Sequence, residues 1–212
     1  MKGENILTDL LNRYSELQPL KQQVAAAAET IIEAYKNGGK VLVCGNGGSC
    51  SDADHIVGEL MKSFEGRRPL AKELQERLVS LSPETGKMLA EKLQQGLPAI
   101  SLTVHQSLIT AIANDISSEV IYAQQVVGWG NKGDVLIGLS TSGNSQNVID
   151  AMIVARAKGM KTIGMTGETG GKMREWSDVL LNVPQLRTAY VQELHLPVYH
   201  AICMLVETEF FG

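Results

Sequence analysis

The sequence predicts an α/β fold in which a parallel sheet is covered by helices on both faces. Three observations carry that expectation. Short, almost wholly apolar runs recur along the chain, stretches with helical periodicity separate them, and 212 residues at 44% hydrophobic and 20% charged suit one sizeable core. A strand that is apolar along its whole length has both faces buried, and a helix between strands is the crossover a parallel pair needs.

Apolar residues recur at helical spacing from Ile6 to Tyr35, first Ile6, Leu7, Leu10, Leu11, Tyr14 and Leu17, then Leu20, Val24, Ala27, Ile31 and Tyr35. The spacing predicts two helices, or one bent near Pro19. Asn37-Gly38-Gly39 stops the second, because glycine adopts the left-handed conformation of a helix end. Lys40-Val-Leu-Val-Cys44 then reads as a buried strand. Next come a helix over 51–64, a strand over 99–103, helices over 108–113 and 120–127, and a strand over 134–139. A helix over 145–157, a strand over 161–165, a short helix near Met173, a strand over 178–183 and a helix over 191–209 complete the pattern. One segment breaks the alternation. Residues 71–95 (AKELQERLVSLSPETGKMLAEKLQQ) are charged and helix-prone, which predicts an inserted helical hairpin turning at Ser82-Pro83-Glu84-Thr85-Gly86. It reads as a solvated cover over one sheet face, or as a lid or oligomer contact. The expectation is a single domain over 1–212, with N-terminal helices over 1–37.

Nineteen Lys and Arg against 23 Asp and Glu, with 5% aromatics, provide neither a basic stripe nor stacking platforms, so no direct nucleic-acid partner is expected. Cys44, Cys50 and Cys203 are an odd number at no repeating spacing, which argues against a disulfide framework or a cysteine-rich zinc site. With no continuous apolar run for a signal peptide or a span, the expected location is the cytoplasm, away from the membrane.

In an open α/β sheet, ligands bind beyond the carboxyl ends of the strands, where helix N-termini present free N–H groups. Two loops suit an anion there. In Cys44-Gly45-Asn46-Gly47-Gly48-Ser49, glycines let main-chain amides approach an oxyanion. Its spacing is neither a dinucleotide fingerprint nor a Walker A loop, and no lysine follows, so a nucleoside triphosphate is not favoured. Ser140-Thr141-Ser142-Gly143-Asn144-Ser145 offers four hydroxyls within six residues, a set suited to a phosphomonoester. Each loop alone consists of ordinary turn and cap residues; two at neighbouring strand ends favour an anion site.

Near those loops, His55 and Glu59 stand one helical turn apart and can share a proton or a metal ion. Gln192 and His200 are eight residues apart in the last predicted helix, about 12 Å on an ideal helix. They meet one ion only if the helix is distorted, for which Pro197 supplies a cause, or if they come from different subunits. His195 reads as structural.

These residues resemble the SIS (sugar isomerase) domain family and, within it, the phosphoheptose isomerases. The motifs are CGNGGS at Cys44–Ser49, HIVGE at His55–Glu59, AND at Ala113–Asp115, STSGNS at Ser140–Ser145, TGETGGKM at Thr166–Met173 and QELHLPVYH at Gln192–His200. The resemblance implies a three-layer αβα sandwich with a five-stranded parallel sheet, a homotetramer, and an active site at a subunit interface. It implies zinc at His55, Glu59, Gln192 and His200, with Glu59 as base and His200 as acid. Contacts to the phosphorylated sugar fall on Asn46, Gly47, Gly48, Ser49, Asn114, Asp115, Ser140, Thr141, Ser142, Ser145 and Gln192. The implied reaction interconverts sedoheptulose 7-phosphate and a heptose 7-phosphate through an enediolate. Ser63 and Ala189 stand where the family commonly carries an arginine and an acidic residue, and Lys62 or Arg67 are candidate replacements for that cation. Two other readings keep the fold. One is a non-catalytic module, like SIS relatives that bind the bacterial replication initiator or sense phosphosugars; the other is an isomerase of a different sugar phosphate.

Overall fold

The computed structural model describes Lys2–Gly212; Met1, the first residue of the expected N-terminal helical segment, lies outside the described residues. Helices α1 (Lys2–Arg13) and α2 (Lys21–Lys36) flank a 3-10 turn over Ser15–Leu20 that contains Pro19. Pro19 lacks an N–H and so interrupts the α-helical hydrogen-bond ladder, which separates the two helices. Leu10, Leu17, Val24 and Ile31 fall on their buried side.

Five strands form one parallel sheet: β1 (Val41–Gly45), β2 (Ala99–Ser101), β3 (Val135–Leu139), β4 (Lys161–Thr166) and β5 (Val179–Asn182). Their spatial order is β2-β1-β3-β4-β5. Alternate side chains point to opposite faces, and the core divides accordingly. Val41, Val43, Ile137, Leu139 and Ile163 pack with α2, α3 (Gly48–Met61) and α10 (Thr188–Phe211). Leu42, Cys44 and Leu136 pack with α7 (Ile121–Trp129) and α8 (Gln146–Ala157) on the other side. The result is the three-layer sandwich. From β1 the chain steps outward to β2, then returns across β1 to β3, so the connections leaving β1 and β3 diverge and open a crevice at their carboxyl ends. Gly45 is in register with Leu139, which sets the two candidate anion loops side by side. Among the described residues no helix is long and apolar enough to cross a membrane.

The inserted segment forms α4 (Lys72–Leu81) and α5 (Pro83–Lys92). The expected five-residue turn shrinks to Ser82, because Pro83 is the first helical residue, where its fixed φ favours helix and its missing N–H costs nothing. Gly86 permits a close helix–helix approach: a Cβ there would lie 1.9 Å from the Leu78 carbonyl oxygen. The hairpin does not cover the sheet, since no residue of either helix joins the two core clusters. It is tied at its base by a bridge between Pro69 and Gln94 and by Gln94 Oε1, which accepts from the Ser63 N–H at 3.0 Å. Strand β2 ends at Ser101 instead of Thr103: the Thr103 N–H turns to the Ser101 hydroxyl at 3.3 Å, and both hydroxyls lie on Asp54 Oδ1, each at 2.5 Å. The remaining helices are α6 (Gln106–Asp115) and α9 (Met173–Trp176).

Candidate active site

Gly47 turns the first loop with φ of 58°, a conformation that glycine takes without Cβ strain, and α3 begins at Gly48. A Cβ on Gly48 would lie 2.5 Å from Gln192 Nε2, so glycine lets the Gln192 amide from α10 rest on the loop. In the second loop, Ser140 Oγ lies 2.8 Å from Ser145 Oγ and 3.5 Å from Ser142 Oγ, directly before the N-terminus of α8. Three hydroxyls around the positive end of a helix form a natural phosphate cradle. Gly143 has φ of 68° and packs so closely on the loop before α9 that a Cβ would lie 2.2 Å from the Gly170 carbonyl oxygen. The loops are joined by a reciprocal amide pair: Asn46 Nδ2 donates to Asn147 Oδ1 at 2.9 Å, and Asn147 Nδ2 donates to Asn46 Oδ1 at 3.0 Å. Tyr122 pins the first loop by donating its hydroxyl proton to the Gly45 carbonyl at 2.6 Å.

Further along α3, His55 Nε2 lies 3.1 Å from Glu59 Oε1 and 3.4 Å from His200 Nε2. Glu59 is buried, and its other oxygen, Oε2, lies 3.3 Å from Lys62 Nζ. His55 Nδ1 faces the Tyr199 hydroxyl at 2.9 Å. Burial, followed by the nearby His55, holds the His200 imidazole below its ordinary value. His200 opens on a cavity of about 490 Å³ between α1 and α10, lined also by Arg13, Tyr14, Phe64 and Glu65. The lining includes no residue of either anion loop; α3 connects the two regions, with Glu59 eleven residues beyond Gly48, about 16 Å along the helix.

The end of α3 that carries Glu59 is held by a buried ion pair. Arg68 donates to the Leu60 carbonyl at 2.7 Å, to the Glu59 carbonyl at 3.0 Å and to Glu207 Oε1 at 2.7 Å. Glu207 also accepts the N–H groups of Phe64, Glu65 and Gly66 at 2.8, 2.8 and 2.9 Å. Burial works against its charge, yet those amides and the guanidinium together hold its carboxyl below the ordinary value.

The fold therefore gathers His55, Glu59 and His200, and separately sets the glycine and serine loops beside each other. The Gln192 amide rests on Gly48 and α10 is continuous through Pro197, so of the two routes by which Gln192 and His200 could meet one ion, the one that joins different subunits needs no break in this helix. Asn114 and Asp115 are exposed at the end of α6, and among the described residues the Asn114 amide finds only Asp115 Oδ1, at 2.8 Å. Thr141 is half-buried in the serine loop, and Ser49 is buried in the first turn of α3. Of the two candidate replacement cations, Lys62 lies on Glu59 and Arg67 is exposed. His195 is fully buried and donates its Nε2–H to the Thr166 carbonyl at 3.2 Å; burial lowers its pKa to about 4. Sequence reasoning missed Asp52, Tyr199, Tyr122, Asn147 and the Arg68–Glu207 pair. Only Asp52, one turn before His55 on the same helix, carried a spacing signal.

Two imidazoles and a carboxylate suit zinc as donors, and separations of 3.1 and 3.4 Å from His55 match the roughly 3.3 Å between neighbouring ligands of a tetrahedral ion with bonds of about 2.0–2.1 Å. Among the described residues, no three His, Cys, Asp or Glu side chains converge as a ready-made metal centre.

The SIS domain family model matches residues 5–89 and 81–167. A phosphoheptose isomerase of Roseiflexus sp. (strain RS-1) is 41% identical over 203 residues, covering 96% of this chain and 89% of the relative. Another, from Burkholderia pseudomallei (strain 1710b), is 44% identical over 189 residues, 89% and 83% of the two chains. The solved structure of a phosphoheptose isomerase from Neisseria gonorrhoeae superposes with a TM-score of 0.75 at 34% identity, covering 95% of this chain and 94% of that one. With likeness of this degree along nearly the whole of both partners, the protein belongs to the SIS domain family, in its phosphoheptose isomerase branch.

Proposed function

We propose that this isomerase interconverts sedoheptulose 7-phosphate and D-glycero-D-manno-heptose 7-phosphate. The observation that carries the reading is the His55–Glu59–His200 cluster, held on the helix that starts at the glycine loop. Ser140, Thr141, Ser142 and Ser145, with the free amides of α8, bind the phosphate. Asn46, Gly47, Gly48, Ser49 and Gln192 hold the sugar along the first loop. Asn114 and Asp115, exposed in one chain, complete the site of a neighbouring copy in a homotetramer.

Glu59 takes a proton from C1 of the ketose; the C–H electrons form the C1–C2 double bond while His200 supplies a proton to O2. The Glu59 carboxyl exchanges its proton with solvent and then protonates C2 as the O1 proton passes back to His200, and O1 becomes the aldehyde oxygen. Protons and electrons balance without a co-reactant. His55, Glu59 and His200 would hold zinc, which when bound lowers the cost of negative charge on the enediolate oxygens. Gln192, the fourth ligand in the family pattern, lies on Gly48 and is assigned to the sugar. The protein is assigned to the cytoplasm, without a nucleic-acid or membrane partner.

The test is turnover on a panel of ketose phosphates for the wild type and Glu59→Gln. The heptulose 7-phosphate should be the preferred substrate, and Glu59→Gln should lose about 10²–10⁴-fold in kcat with its assembly intact. Preference for a pentose or hexose phosphate refutes the substrate assignment, and an unchanged Glu59→Gln rate removes Glu59 from the mechanism.

A further inference from the structure

Behind the His55 ring lies a buried relay that the reaction above does not use. Tyr199 is buried on α10, its ring edge-on to His55 with centroids 5.4 Å apart. Its hydroxyl is 2.9 Å from His55 Nδ1 and 3.3 Å from Asp52 Oδ1. That hydroxyl is the one side-chain donor to Asp52 among the described residues, and Asp52 Oδ2 is buried without a partner. With a cation on Nε2 the His55 proton sits on Nδ1, where the Tyr199 oxygen can accept it while the hydroxyl donates its own proton to Asp52 Oδ1. A neutral ring protonated at Nδ1 carries its lone pair at Nε2, the atom that faces both Glu59 Oε1 and His200 Nε2. Behind the ring, the Tyr199–Asp52 chain keeps the proton on the nitrogen that faces away from Glu59 and His200.

We propose that Asp52 and Tyr199 are positioning residues that hold His55 as the Nδ1-protonated tautomer and so present Nε2 to a divalent cation shared with Glu59 and His200. This rests on the zinc reading above. A second set of partners for the non-ligating nitrogen of a histidine ligand fixes ring orientation and basicity, and its loss typically costs 10–100-fold in metal affinity.

The experiment is competition for zinc against a chromophoric chelator, with the full chain as wild type, Tyr199→Phe, Asp52→Ala, Asp52→Asn and the double variant Tyr199→Phe/Asp52→Ala. Thermal melts of each metal-free protein establish that it is folded, and nitrogen-15 histidine spectra of the zinc-loaded proteins report the His55 tautomer. Tyr199→Phe should weaken zinc binding by about 10–100-fold, and Asp52→Ala by a similar factor. The double variant should be no weaker than Tyr199→Phe, because the carboxylate acts through the hydroxyl. Asp52→Asn, which keeps an oxygen for the hydroxyl proton, should retain most of the affinity, and it carries the test should Tyr199→Phe fail to fold. The wild-type spectra should show His55 protonated at Nδ1. Zinc affinity within twofold of wild type in both Tyr199→Phe and Asp52→Ala, single losses that multiply in the double variant, or an Nε2-protonated His55 overturns the proposal and leaves the zinc reading standing. A folded wild type that binds no zinc overturns that reading and the proposal with it.

Discussion

Replacing Glu207 by alanine removes the acceptor of three main-chain N–H groups and of the Arg68 guanidinium, and leaves Arg68, fully buried, without its counter-charge. Breaking a buried pair from one side costs about 3–5 kcal/mol, because the surviving charge stays desolvated. For a chain of this length each kcal/mol moves the melting temperature by about 2–4 °C, so Glu207→Ala should melt about 6–20 °C below wild type. Since Arg68 also fixes the Glu59 carbonyl, the kcat of Glu207→Ala should fall even when assayed well below its own melting point, with a smaller change in KM. The pH dependence has a definite sign. The Glu207 carboxyl is held below its ordinary value, so its contribution is complete above the ordinary carboxylate range near pH 4.3 and disappears as pH falls through the lower folded value. The stability gap between wild type and Glu207→Ala should therefore be flat above about pH 5 and narrow in acid. Urea unfolding across that range measures it. A gap below about 1 kcal/mol at pH 7, or one that widens in acid, refutes the reasoning.

Two glycine substitutions should separate fold from binding. Gly48→Ala meets only the mobile end of Gln192, so it should displace that amide and raise KM while moving stability by less than about 1 kcal/mol in urea titrations. Gly143→Ala forces a Cβ into the Gly170 carbonyl at positive φ, and should cost more than about 2 kcal/mol and weaken inorganic phosphate binding by calorimetry. Tyr122→Phe removes the hydroxyl that pins Gly45 and should raise KM several-fold with kcat nearly unchanged, at a cost of about 1 kcal/mol. Burial lowers the His195 pKa to about 4, so the unfolded chain binds the extra proton first as pH drops. Its neutral-state advantage is whole above about pH 6.5 and lost by about pH 4, up to about 3 kcal/mol, and His195→Asn should flatten the denaturation curve across that window.

The sheet was legible because a buried parallel strand announces itself locally: Val41–Gly45 and Val135–Leu139 are apolar at every position bar glycine. The two anion loops were legible for a similar reason, since glycines and hydroxyls at strand ends are sequence-local. Boundaries were less visible where tertiary partners decide them. Strand β2 stops early where the Thr103 N–H turns to the Ser101 hydroxyl, itself held by Asp54 on another element, and the hairpin turn tightens because Pro83 serves α5 rather than the loop. The Arg68–Glu207 pair spans 139 positions, and Tyr199 reaches His55 across 144, so no window of sequence contains either. The fate of Gln192 was illegible too, because it depends on the space above Gly48 and not on helix period.

The most direct measurement of the central claim is the fate of solvent hydrogen when the wild type and Glu59→Gln act on sedoheptulose 7-phosphate in deuterium oxide, followed by proton NMR. The account predicts deuterium at C2 of the aldose formed by the wild type, together with loss of both isomerisation and label incorporation in Glu59→Gln. Isomerisation that carries hydrogen from C1 to C2 without wash-in, or full label incorporation by Glu59→Gln, would contradict it.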